Sequence, residues 1–140
     1  MNCSELQTVI VCIRNPSHGA RILHEAARTA QSYGAQLQIL AVQPVEQSDE
    51  IKSQFVEDVY RLSREFNAEM HVIFDENPVV TAVQYINSCS HAVLFTGMPA
   101  DGPRSFVTLV RQLLPEVMIS MVSEEGITYR LYPHAIPAIH

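Results

Sequence analysis

Two short stretches of this chain hold the residue types that bind anions. Arg14-Asn15-Pro16-Ser17 ends one apolar run, and Gly97-Met98-Pro99-Ala100-Asp101-Gly102-Pro103-Arg104-Ser105 follows another. Gly97, Gly102 and the amides around Ser105 have the composition of a loop that wraps an anion at the start of a helix, where the macrodipole favours negative charge. Arg104 would add a fork of donors, and Arg14, Asn15 and Ser17 would face it from the other stretch. The same residues fit a plainer role, in which Gly97 and Pro99 turn the chain, Ser105 caps a helix and both arginines are solvated. On residue types alone both readings stay open.

Catalytic groupings are missing from the pattern. The histidines at 18, 24, 71, 91, 134 and 140 contain no pair four apart of the kind a helix uses to hold a metal. His91 opens an apolar run and reads as a partly buried core or edge residue. Ser17, Ser88 and Ser105 lack a GxSxG elbow, and nothing places a base beside Cys89. Cys3, Cys12 and Cys89 are an odd count without CxxC spacing, so neither a disulfide framework nor a zinc site is expected. Cys12 lies within an apolar run and reads as a small buried hydrophobe. With no general base or metal-binding carboxylate pair at either stretch, an enzyme is not expected, ATP hydrolysis included.

Several families of nucleotide and phosphate sites fail on required residues. IRNPSHGAR after the first apolar run carries one glycine, Gly19, where a dinucleotide fingerprint needs several. Lys52 is the only lysine and follows no glycine loop, which excludes a P-loop. Asp75 stands where a receiver domain keeps its phospho-acceptor, but the acidic pair after strand one and the lysine after strand five are absent. It reads as a turn residue.

The elements that position these stretches follow from hydrophobic periodicity. Leu6 to Ile13, Leu37 to Val42, Met70 to Phe74, Ala92 to Thr96 and Val117 to Val122 are strand-length apolar runs rich in β-branched residues. Between them, apolar residues recur at steps of three or four from Ile22 to Tyr33, Ile51 to Phe66, Val79 to Ile86 and Phe106 to Leu114. Ser17 and Asn77 are expected helix caps, Pro78 suits a first helical position, and Gly34 suits a helix end. Five strands alternating with four helices predict a Rossmann-like three-layer α/β/α sandwich. Its doubly wound parallel sheet would have the order 3-2-1-4-5. Residues 1–126 are expected to form this domain. Residues 127–140 are read as a C-terminal tail whose alternating ITYRLY would add an edge strand, here or on a second protomer, or else stay a loose terminus. A ligand would lie where strand order reverses, between the turns after strands one and four.

Composition narrows the surroundings. The chain has 140 residues, 47% apolar and 17% charged, enough for one domain with a sizeable core. A net charge of -6 argues against nucleic acid as a partner. The longest apolar runs fall well short of the roughly 20 residues that span a bilayer, so no membrane insertion is expected. Glu5 and the lack of a basic cluster before the first apolar run argue against a secretory signal. A cytoplasmic setting is the expectation.

The run VIVCIRNPSHGARILHEAARTAQSYGAQLQILAVQP, with ENPVVTAVQYINSCSHAVLFTG, resembles the universal stress protein family across most of residues 6–123. Gly97-Met98-Pro99, the absence of an aspartate in the first loop, and FVTLVRQLLPEVMISMVS resemble the variant in KdpD-type potassium-sensing histidine kinases. The resemblance implies a non-catalytic stress-response or signalling module, usually a homodimer. It would bind a small anionic ligand or an adenine nucleotide, ATP or AMP, between the turns after strands one and four. Nucleotide-binding members carry an aspartate after strand one and a Gly-x2-Gly-x9-Gly-Ser/Thr pattern after strand four. Here Arg14-Asn15 replaces the aspartate, Gly102 comes two residues late, and Arg104 precedes Ser105 in place of a glycine. LQILA at 37–41 does not match the Phe-Thr-Ala-x-Tyr stretch by which some relatives recognise cyclic di-AMP. The alternative is a protein-interaction module whose pocket has degenerated and which binds no nucleotide.

Overall fold

The first apolar run becomes a strand buried on both faces. In the computed structural model, which describes residues 6–89, 91–98 and 106–133, β1 is Thr8–Cys12 and every one of its residues is buried. Its alternate side chains enter two different cores. Val9 and Val11 pack with Leu23 and Ala26, whereas Ile10 and Cys12 pack with Leu40 and Ala82. A strand covered on both sides needs no polar face, which is why TVIVC reads as nearly continuous hydrophobicity.

Around β1 the sheet takes the order β3-β2-β1-β4-β5-β6. β2 (Gln36–Pro44), β3 (Glu69–Asp75), β4 (Ala92–Gly97) and β5 (Met118–Val122) run parallel to it. Helices α1 (Gly19–Tyr33) and α2 (Asp49–Phe66) supply one core, with Ile22, Leu23, Val59 and Leu62 facing inward. Helices α3 (Pro78–Ser88) and α4 (Phe106–Leu113) supply the other through Ala82, Ile86, Val107 and Val110. This is the doubly wound three-layer sandwich expected from the alternation of elements. The alternating tail adds β6 (Thr128–Leu131), antiparallel on β5, with Val122 opposite Thr128 and Ile119 opposite Leu131. Gly126, at φ 86, makes the reversal, and the Ser123 hydroxyl accepts the Ile127 N–H at 3.1 Å.

Helix ends explain most boundaries and correct several. The Ser48 hydroxyl accepts the Ile51 N–H at 3.2 Å, so α2 begins before its first large apolar residue. Asn67 ends α2 and Gly34 ends α1, both in the left-handed region. Ser17 does not cap α1. Asn15 accepts the Ser17 N–H instead, at 3.1 Å, and caps a short 3-10 turn, Pro16–His18, before α1 starts at Gly19. Asn77 occupies the cap position of α3, but its side chain makes no capping bond. Its own N–H goes to the Asp75 carboxylate at 2.9 Å, which makes Asp75 the turn residue expected of it. Leu113 is 57% exposed, whereas Leu114, one residue past α4, is buried and completes the inner stripe. His91 is an exposed left-handed residue ahead of β4, and its carbonyl accepts the Gln7 and Thr8 N–H groups.

Candidate functional site

Strand order reverses between β1 and β4. The two are neighbours, with Val11 opposite Phe95, so both chains leave the sheet at the same end. From there the chain after β1 turns into α1 on one face, and α4 precedes β5 on the other. The divergence opens a crevice of about 150 Å³ whose walls include Arg14, Asn15 and His18 on the β1 side and Thr96, Gly97 and Met98 on the β4 side. This is the place the sequence indicated.

A larger cavity of about 640 Å³ adjoins it, between the ends of β1 and β2 beneath α3. Leu40 and Val42 form its floor, Val79 and Ala82 its roof, and Gln43 and Gln47 line its polar margin. Cys12, Ile13, Arg14, Asn15 and Phe106 line both spaces, so they are two lobes of one cleft. Sequence reasoning missed this wide lobe. No local pattern announces it, because its width is set by how closely α3 approaches the sheet.

Backbone and side-chain bonds fix the cleft's walls. The Ile13 N–H donates to the Leu40 carbonyl at 3.1 Å, extending the β1–β2 ladder beyond β1. Gln43 Nε2 donates to the Arg14 carbonyl at 3.0 Å, and Gln47 Nε2 donates to Gln43 Oε1 at 3.3 Å. These tie the turn after β1 to the end of β2. Asn15 Oδ1 accepts both the Ser17 N–H and the Ser17 hydroxyl, the latter at 2.8 Å, so only its amide NH₂ remains for a ligand.

Of the residues singled out in the sequence, Arg14 and Asn15 line both lobes and Gly97 lines the narrow one. Ser17 lines neither and is bonded to Asn15. Gly102, Arg104 and Ser105 lie outside the described residues. A side chain at Gly97 would meet only Ile22 Cδ1, at 3.5 Å, an ordinary contact, so sterics do not demand glycine there. His18, the last residue of the turn after β1, and Phe106, the first of α4, also line the cleft.

The cleft's electrostatics are one-sided. Arg14 and His18 line it, and no carboxylate does among the described residues. Burial pushes the Cys12 thiol up to about 12, and the Arg14 guanidinium offsets part of that rise. The thiol is therefore neutral and inert, a packing group at the base of the cleft. Among the described residues no cluster of three His, Cys, Asp or Glu could hold a metal, and no helix is long and apolar enough to cross a membrane.

Neither a protein-family model nor a curated protein matches the sequence. The fold does match solved structures. The universal stress protein from Archaeoglobus fulgidus superimposes with a TM-score of 0.56 at 18% identity, over 66% of this chain and 75% of that one. The universal stress protein from the same organism in complex with dAMP gives 0.54 at 18% identity, over 66% and 81%. The chain has the fold of these universal stress proteins.

Proposed function

We propose that the chain is a non-catalytic module of the universal stress protein type that binds an adenine nucleotide or a similar base-bearing anion in its two-lobed cleft. The observation that carries this reading is the continuity of the lobes through Arg14: an apolar slot on one side and, on the other, a crevice lined by one fixed positive charge and by no carboxylate among the described residues. A planar base fits between Leu40 and Val42 below and Val79 and Ala82 above. The amides of Gln43 and Gln47 lie at its margin to meet polar ring edges. Arg14 stands at the junction, where a negative group attached to the base through a sugar would fall. The solved relative in complex with dAMP supports the same ligand class. A narrower kinship with the KdpD-type sensor variant rests on Arg14-Asn15 and Gly97-Met98-Pro99.

Calorimetric titration of the full chain with AMP, ATP and cyclic di-AMP tests the reading. Saturable binding of at least one is expected. A folded protein silent towards all three would overturn it in favour of an interaction module with a degenerate pocket.

A further inference from the structure

The two edges of the sheet are finished differently. β6, at one edge, is four residues long, carries Arg130 and is followed closely by Pro133. Shortness, an exposed cation and a nearby proline all discourage an edge from pairing again. β3, at the other edge, runs for seven residues as EMHVIFD, without proline or lysine. Its register with β2 is unbroken from Glu69 to Asp75, so no bulge twists it away either. Met70, Val72, Ile73 and Phe74 are only half-buried, whereas every residue of β1 is buried. Among the described residues β2 is the single strand beside β3.

Backbone bonds show which groups this edge offers. The Asp75 carbonyl accepts the Val45 N–H at 3.1 Å, so the odd-numbered residues of β3 direct their N–H and C=O groups at β2. Met70, Val72 and Phe74 therefore direct theirs outward, where a further strand would meet them. Their side chains pack on the α2 side of the sheet, and Ile73 packs on the α3 side. His71 shares the α3 side, its ring 5.2 Å from that of Tyr85.

We infer that β3 is the surface through which two copies of this chain associate, strand against antiparallel strand, about a two-fold axis at Ile73. Such an axis leaves one residue opposite itself, and charge decides which. An axis at Val72 would set Glu69 against the partner's Asp75 twice over. An axis at His71 would oppose the two histidines and leave Glu69 and Asp75 without a charged counterpart. The axis at Ile73 sets His71 against the partner's Asp75 twice, and Val72 against the partner's Phe74 in hydrogen-bonded register. Glu69 holds His71 Nε2 at 2.6 Å, which leaves Nδ1 to meet the second carboxylate. This interface is independent of ligand binding in the cleft.

Light scattering of the full chain over a concentration series should show a monomer–dimer equilibrium. His71→Glu sets like charges against each other at two places and should raise the dissociation constant about tenfold or more. Ile73→Cys gives a second readout that does not depend on how His71→Glu folds. Residues opposed without mutual hydrogen bonds lie about 4.5 Å apart at Cα, within reach of a disulfide. On air oxidation Ile73→Cys should therefore form a covalent dimer that neither the unaltered chain nor His71→Cys forms. A monomer at every concentration, no covalent dimer from Ile73→Cys, or one from His71→Cys would each overturn the inference. So would a dimer that is as tight in a folded His71→Glu as in the unaltered chain.

Discussion

Three buried or half-buried side chains carry consequences that can be measured one residue at a time. The Cys12 thiol ionises near its ordinary value of 9.0 in the unfolded chain but only at about 12 when folded. Between those values the unfolded state has lost a proton that the folded state keeps. The stability present below pH 9 therefore falls as pH rises towards 12, by about 1.4 kcal/mol per pH unit at its steepest. Burial also pushes the Tyr85 phenol up to about 12, with Cys89 and Glu69 adding to the rise, so it acts in the same direction. Urea midpoints recorded upward from pH 8 should drop, and Cys12→Ala should flatten the slope without abolishing it. An identical slope in that variant would refute the assignment. Tyr85 donates to Gln38 Oε1, and Gln38 in turn donates to Gln36 at 3.0 Å. Tyr85→Phe should cost about 1 kcal/mol by urea unfolding, because a largely buried amide loses its donor. Ser120 runs the other way, for its hydroxyl is buried without a partner among the described residues. Ser120→Ala should raise the melting temperature, with a gain of about 1 kcal/mol.

At the scale of elements, most of the fold was legible because period and punctuation agree. The steps of three and four from Ile22 to Ala30 match the buried stripe of α1, and the β-branched runs match β1 and β5. What could not be read is where competing caps would win. Asn15, Ser17 and His18 are adjacent, and only the structure shows that Asn15 captures the Ser17 N–H and spends three residues on a 3-10 turn. The candidate site was half legible for a related reason. Topology places a crevice between β1 and β4, but the wide lobe depends on how closely α3 approaches the sheet, a packing distance that no local pattern encodes. Gly19 shows the same limit where α1 crosses α2. A Cβ there would lie 2.8 Å from Leu62 Cδ1 and 3.1 Å from Ile13 Cδ1. Gly19→Leu should therefore destabilise the chain by about 1–3 kcal/mol, read as a lowered urea midpoint. Because Ile13 also lines the cleft, that variant should weaken AMP binding as well.

For the whole molecule, the added strand changes which sheet edge meets solvent. β6 covers the edge of β5 along four paired positions, from Ile119–Leu131 to Val122–Thr128. Removing residues 127–140 uncovers that edge, and an open apolar edge recruits another chain. Light scattering should show the truncated protein more associated than the full chain at equal concentration, whereas an unchanged mass would mean that β6 does not govern association. The two ends of the sheet differ as well. A second cavity of about 650 Å³, lined by Leu6, Ile86, Val93 and Val117, opens at the end where the strands begin, far from Arg14. Size alone does not distinguish it from the wide lobe. Charge does, because its only charged wall residue of fixed sign among the described ones is Glu116. Backbone NMR of the full chain during titration with AMP separates the two most directly. Shifts should concentrate on Cys12 to His18, Gln43, Val79, Ala82 and Thr96 to Met98. Shifts confined to Leu6, Ile86, Val93 and Val117, or none at all, would contradict the account.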